Sequence, residues 1–443
     1  MAADYTYRLR IPHRAGQLAH VTGAIADAEG LIGDIVTLNV GGQISEREIT
    51  IAVRDEEHAE KVAQRLGDLD GVEVAWFRDR ALIHHERGKL VIEPVERVES
   101  VQDMRDVYTP GVARACEAIR DDPDTAGRYT MIGHTVAICT NGTRVLGLGD
   151  IGPVAAMPVM EGKAVFYRQL AGISAMPILI NARDPDDFVE TVIRISPTFG
   201  GIHLEDIEAP ECFEIERRLL DELDKPVMHD DVHGTAVVAL AGAVIGARHA
   251  DLNLQEVTVG QLGLGAAGFG IAQLMVHGGV PRVLAFDPSE DSHARAEEAG
   301  IEIAHEETVM REAEVVVATT GQPGLIRPES VREGQVILAL TNPDPEIDPH
   351  VAREAGAAFA GDGSLVNNVL GYPGIFRGAL EAGAKEIDPD MKLAAAWAIA
   401  GLSVESELVP DVLDSRVHEC VAEAVRKAAE SSGAARPERA AAI

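Results

Sequence analysis

The stretch VTVGQLGLGAAGFGIAQLMVHGG, residues 257–279, limits the fold more than any other. An apolar β-branched run leads into a glycine turn, and a long apolar segment of helical length follows. Within it, Gly263-Leu264-Gly265-Ala266-Ala267-Gly268 has the pattern G-x-G-x-x-G. Glycine permits the tight turn and lets backbone approach a pyrophosphate at the N-terminus of the helix. The next apolar run, VLAFDP, ends on Asp287, 19 residues after Gly268. An acid at that distance belongs on the adenine ribose of a dinucleotide. The residues that follow Asp287 directly, PSED, include no Arg or Lys. A ribose 2′-phosphate would meet Asp287 without a basic partner, so NAD is expected in preference to NADP. VVVATTGQPG and VILALTNPDPE supply further strands, and Asn342 ends the second on the cofactor side.

A second stretch, residues 201–236, carries two pairs of adjacent acids, Glu205-Asp206 and Asp230-Asp231. Each closes a short apolar run, GIHL or KPVM, that reads as a strand. Strand side chains alternate between faces, so neighbouring carboxylates converge only where the strand has ended. Strand C-terminal ends are where open α/β sheets bind ligands. Acids gathered at one point need a cation, and hard oxygen ligands suit Mg²⁺ or Mn²⁺.

Composition excludes some partners. The chain has 443 residues, 46% of them hydrophobic, enough for two or three domains with their own cores. Its net charge of −33 is a poor match for nucleic acid or an anionic membrane. Only seven residues are Lys, which fits both a high-salt habitat and Arg-for-Lys usage set by base composition. Cys116, Cys139, Cys212 and Cys420 form no C-x-x-C pair, so they read as buried thiols in a reducing compartment. No apolar run reaches ~18 residues and the N-terminus has no signal-like segment, so a cytoplasmic protein is expected.

The pattern divides the chain into residues 1–84, 85–232 and 233–443. The first part reads βαββαβ, the split ferredoxin-like order. Its PHRAGQLAHVT turn and helix resemble the ACT family of small regulatory domains. That resemblance implies pairing of two such units and a small effector near Gly16 and Asp34. His84 opens a linker that reads as entering a strand. In the middle part, strands alternate with helices, so the sheet is largely parallel. Asn141-Gly142 reads as a hairpin turn, and Lys163 sits on the helix AAMPVMEGKAVFYRQLAG. The last part is Rossmann-type with amphipathic C-terminal helices, and the tail GAARPERAAAI reads as frayed.

From about residue 85 to 430 the motifs YTPGV, TRVLGLGDIGP, MEGKA, PTFGGIHLED, HDDVHGTA, GLGAAG, TNPDPE and NNVLGYPGIFRGAL occur in the order found in the malic enzymes. The chain resembles the short bacterial and archaeal form of that family. The resemblance implies oxidative decarboxylation of (S)-malate to pyruvate and CO₂. It assigns Lys163 as the base for the C2 hydroxyl and Tyr108 as the acid that protonates the enol. A desolvated lysine near a metal can have a lowered pKa and serve as base. Glu205, Asp206 and Asp231 match the metal ligands, with Asp230 behind them setting the state of Lys163. Arg144 matches a carboxylate-binding arginine. Asn342 and Asn368 would hold the other carboxylate, with Asn367 beside them. GDGSLVNNV is shorter than the family's usual loop before the paired Asn. A homodimer or higher homo-oligomer is expected. Oxaloacetate decarboxylation or malate-to-lactate conversion on the same scaffold, and a catalytically silent ligand sensor, are the alternatives.

Overall fold

The computed structural model describes residues 3–364, 366–403 and 409–441. The chain divides between Val91 and Ile92 into two compact units.

The first unit runs β1 (Ala3–Pro12), α1 (Gln17–Asp27), β2 (Leu31–Gly41), β3 (Ile44–Val53), α2 (Glu56–Gly67) and β4 (Glu73–Asp79). Its sheet is antiparallel with strand order β2-β3-β1-β4. Alternate residues of β1 and β3, Tyr7, Leu9, Ile11, Ile49 and Ile51, turn to one face and are buried there. Val21 and Ile25 of α1 and Val62 and Leu66 of α2 cover them. Asp55 starts α2 by accepting from the His58 N–H at 2.8 Å, an N-cap that satisfies an otherwise orphaned donor. Edge strand β2 is exposed along its whole length, including Leu31, Ile32, Ile35, Val36, Leu38 and Val40. The linker from His84 enters no strand, and the next strand begins only at Thr135. A short helix, Arg80–His85, ends at Glu86, and Val91, Ile92 and Val95 stand exposed in irregular chain.

The second unit contains two parallel sheets. In the first, β5 (Thr135–Thr140), β6 (Ser174–Leu179), β7 (Gly201–Leu204) and β8 (Val227–His229) lie in the order β6-β5-β7-β8. In the second, β9 (Thr258–Leu262), β10 (Arg282–Phe286), β11 (Glu302–Ile303), β12 (Val315–Ala318), β13 (Val336–Ala339) and β14 (Phe359–Asp362) lie in the order β11-β10-β9-β12-β13-β14. Central strands β12 and β13 are buried at every residue, as two-sided coverage by helices requires. The strand order reverses at β9, between β10 and β12, and opens the crevice where such sheets bind ligands.

Three sequence expectations need correction here. Asn141-Gly142 does not turn a hairpin, because both neighbours of β5 are parallel to it. Instead the Gly142 carbonyl accepts from Ile151 and Gly152, closing a loop over residues 143–150. The tail is not frayed through its described part: Arg436 and Arg439 pair with Asp224, Arg439 also with Asp124, and Ala434 is buried. Of the cysteines, Cys139 and Cys212 are buried but Cys116 and Cys420 are exposed. The segment Asp230–His249 is long and apolar enough to cross a membrane by length and composition, yet 83% of that window is buried inside the protein. Its helix, Thr235–His249, packs on β12, β13 and β14 of the second sheet and on the helices Ala266–His277 and Pro389–Leu402.

Candidate active site

Strand ends bring the acids together. β7 stops at Leu204, so Glu205 and Asp206 project from its C-terminal end. β8 stops at His229, and Asp230–Gly234 then forms a π-helical turn, a feature frequent at functional sites. Glu216 ties this turn down, accepting from the His229 N–H at 2.7 Å and contacting His233 Nε2 at 2.9 Å. The Asp206 N–H donates to Asp231 Oδ2 at 3.0 Å, which joins the two acid pairs. One oxygen from each of Glu205, Asp206 and Asp231 lies within 4.8 Å of the others. Burial pushes the Glu205 carboxyl up to about 8 against the pull of Lys163. Three hard oxygens around one point, one of them carried by a strongly desolvated acid, fit a divalent cation. These are the three ligand positions expected from the sequence.

Lys163 lies beside them on the helix Pro153–Ala171, with Nζ 2.7 Å from Asp230 Oδ2 and 2.9 Å from Glu205 Oε1. The expectation of a lowered lysine pKa is not met in this state. Burial alone would lower it, but Asp230 and Glu205 outweigh burial and hold the ammonium well above its ordinary range. Asp230 is fully buried, its carboxyl is raised to about 6 by that burial, and it accepts from Asn368 Nδ2 at 2.6 Å. Gly234 leaves room for Asp230: a Cβ there would lie 1.7 Å from Oδ1.

Other expected residues are placed differently. Tyr108 is 71% exposed at the end of the helix Val101–Val107. Arg144 is exposed and joins the site through its backbone N–H, which donates to the Asp206 carbonyl at 3.2 Å. Asn342 follows β13, its amide packed against Gly363. Asn367 does not point freely beside Asn368, because its Oδ1 accepts from the Val369 N–H at 3.0 Å and caps the following turn.

The glycine turn is built as the sequence implies. Gly263 has φ +87°, a left-handed conformation open to glycine, and a Cβ on Gly268 would sit 2.0 Å from the Gly263 carbonyl oxygen. Gly265 precedes the helix that Ala266 and Ala267 begin. Gly270 lets that helix press on the acid turn, since a Cβ there would lie 2.3 Å from the Val232 carbonyl oxygen. Asp287 follows β10 and accepts from the Leu264 N–H at 2.7 Å, so its carboxylate braces the turn.

Sequence reasoning missed four residues. Tyr372 is fully buried, its ring centroid is 4.6 Å from Lys163 Nζ, and its hydroxyl has no partner among the described residues. Tyr167 and His203 form a chain to Glu205, with Tyr167 Oη 2.8 Å from His203 Nδ1 and His203 Nε2 2.7 Å from Glu205 Oε2. The i, i+2 spacing of His203 and Glu205 was the available signal. Arg295 stacks on Phe213 at 4.2 Å and on Phe269 at 5.0 Å, close enough to Asp287 for their charges to interact. A basic group therefore stands near Asp287 after all. It lies about two helical turns beyond Asp287, outside the PSED segment that follows directly.

Residues 87–220 match the family model "Malic enzyme, N-terminal domain". The chain is 49% identical over 428 residues to NAD-dependent malic enzyme 1 of Bacillus subtilis (strain 168), covering 96% of this chain and 97% of that one. It is 42% identical to the bifunctional malic/malolactic enzyme of the same organism, over 81% of this chain and 95% of that one. A solved structure of malic enzyme from Pyrococcus horikoshii superposes with a TM-score of 0.75 at 36% identity, over 80% of this chain and 89% of that one. Fold, acid cluster and near-full-length relatedness agree: the chain belongs to the malic enzyme family.

Proposed function

We propose that this chain converts (S)-malate to pyruvate and CO₂ while reducing NAD, with Mg²⁺ or Mn²⁺ bound by Glu205, Asp206 and Asp231. The observation that carries this reading is Lys163, enclosed by Asp230 and Glu205 at 2.7 and 2.9 Å beside the remaining acids and one packed helix from the glycine turn. A bound ion would be held by Glu205, Asp206 and Asp231 and would supply Lewis acidity at the C2 oxygen. Asp230, 2.7 Å from Lys163 Nζ, is the acceptor for the ammonium proton. Neutral Lys163 then takes the C2 hydroxyl proton as hydride leaves for the nicotinamide. Arg144 binds one substrate carboxylate through its planar fork. Asn342 and Asn368 bind the other, and Asn367 contributes by ordering the turn that carries Asn368. The resulting 2-keto acid loses CO₂ as the bond between C3 and its carboxylate breaks, and Tyr108 gives a proton to C3 of the enol that remains. Its exposure requires that it be carried to the site, by movement of residues 101–112 or from a second copy.

In the same reading the first unit is an ACT-type regulatory domain. Its hollow of about 290 Å³ beside Gly16 is lined by Pro12, His13, Arg14, Gln17, Ser45 and Arg47, which suits a small anionic effector. The exposed apolar edge of β2 suits pairing with a second copy, giving a homodimer or higher oligomer. Thermal-shift screening of amino acids and central metabolites on the full chain tests the effector. The name of the 42%-identical relative makes malate-to-lactate conversion the second reading. Asp231→Ala tests the main one: divalent-ion-dependent turnover should vanish while NAD affinity stays near wild type. Normal turnover at low Mn²⁺ would remove Asp231 from the ligand set.

A further inference from the structure

We propose that Tyr167 and His203 form a positioning chain that fixes Glu205 as a one-oxygen ligand for a divalent ion. The proposal rests on the reading of Glu205, Asp206 and Asp231 as the ligands. Tyr167, His203 and Glu205 come from a helix, a strand and the strand's end, and none is more than 3% exposed. His203 is fully buried, with a carboxylate against one ring nitrogen and a hydroxyl against the other, and a neutral imidazole with one N–H suits both partners. A Glu205 that holds a divalent ion is ionised and can only accept. The N–H must therefore sit on Nε2, facing Glu205 Oε2 at 2.7 Å. Nδ1 is then an acceptor, and the Tyr167 hydroxyl at 2.8 Å is its donor. One tautomer satisfies every atom, and Tyr167 selects it.

Packing holds the ring in that orientation. Phe376 stacks on His203 at 5.6 Å and 25°, while Tyr372 and Tyr167 meet it edge-on at 5.3 and 5.8 Å. Two consequences follow. Glu205 Oε2 is occupied, which leaves Oε1, the atom now 2.9 Å from Lys163, for a cation. His203 is also excluded as a ligand, although His203, Glu205 and Asp230 lie close enough together to hold an ion, because both ring nitrogens are engaged. Lys163 already occupies the space between Glu205 and Asp230.

The test is direct Mn²⁺ binding to the full-length protein, without malate, read from the electron paramagnetic resonance signal of free Mn²⁺. Tyr167→Phe should weaken binding about tenfold, the scale for loss of a group that orients a ligand. His203→Leu should weaken it at least as much. His203→Gln, whose amide can still donate to Glu205, should recover most of the affinity, and NAD affinity should not change in any variant. Unchanged Mn²⁺ affinity in Tyr167→Phe, with binding lost in Asp231→Ala, would overturn the positioning role alone. Unchanged binding in Asp231→Ala would overturn the ligand assignment beneath it. If Tyr167→Phe fails to fold, the His203 pair decides, since equal affinities for Leu and Gln contradict the proposal.

Discussion

Adding one methyl group at Gly234 tests the acid cluster most sharply. Gly234 has ordinary helical angles, φ −63° and ψ −45°, so backbone strain does not demand glycine there. On propensity alone, alanine should stabilise the helix start by about 1 kcal/mol. Yet the new Cβ would lie 1.7 Å from Asp230 Oδ1 and 2.7 Å from its Cγ, which no adjustment of a few tenths of an ångström relieves. The Asp230 carboxylate must swing away and give up Lys163 at 2.7 Å and Asn368 at 2.6 Å. Removing one partner of a buried ion pair costs about 3–5 kcal/mol, because the other charge stays buried. Less the propensity gain, Gly234→Ala should cost roughly 2–4 kcal/mol. In an Asp230→Ala background the methyl has nothing to displace, so the same change should be neutral or stabilise by up to about 1 kcal/mol. Urea unfolding of the four proteins, followed by circular dichroism in metal-free buffer, measures this coupling. Malate turnover should fall with stability in Gly234→Ala alone. An equal cost of Gly234→Ala in both backgrounds would refute the reasoning.

Other outcomes follow from the same geometry. Gly268→Ala would place its Cβ 2.0 Å from the Gly263 carbonyl oxygen, so NAD affinity by calorimetry should fall at least about tenfold, the scale of a 1.4 kcal/mol loss. Replacing Asp287 with Ser and Pro288 with Arg removes the acid facing a 2′-phosphate and should narrow the NAD-over-NADP preference, by roughly 1–3 kcal/mol in the ratio of kcat/KM. A wild type that already prefers NADP would show that Arg295, not Asp287, sets the choice. Lys225, half-buried and donating to the Ser196 and Phe199 carbonyls, has its pKa lowered from 10.5 to about 8 by desolvation, with Arg439 adding to it. The unfolded chain therefore binds more protons between pH 8 and 10.5, and stability should rise with pH across that window, at most about 1.4 kcal/mol per unit. Subtracting the curve for Lys225→Met isolates this slope, and a difference independent of pH would contradict it.

What was legible in the sequence was what local pattern dictates. The glycine turn, the strands that end in acid pairs and the βαββαβ order each follow from residue spacing over a few positions. The fine structure of the site depends on contacts distant in the chain. Asp230 meets Asn368 across 138 residues and Lys163 across 67, so no local signal could show that the lysine is held charged. Tyr372 was visible only as part of a turn motif, and its place over Lys163 comes from the packing of the helix Tyr372–Glu381 on the helix Pro153–Ala171. The tail failed as a reading because Ala, Gly and Arg carry no periodic signal. Its order comes from Asp124 and Asp224, more than 200 residues away. Asn141-Gly142 has the composition of a hairpin turn, but parallel pairing overrides local turn chemistry when a strand sits between two crossovers.

The most direct test of the central claim is one assay that follows nicotinamide and product together. Purified protein is given (S)-malate and Mn²⁺ with NAD, and in parallel with NADP, while reduced nicotinamide, pyruvate and lactate are measured. The account predicts NADH and pyruvate in equal amounts, higher kcat/KM with NAD than with NADP, and no turnover when the divalent ion is chelated. Lactate without net NADH, or pyruvate formed at full rate with the metal removed, would contradict it.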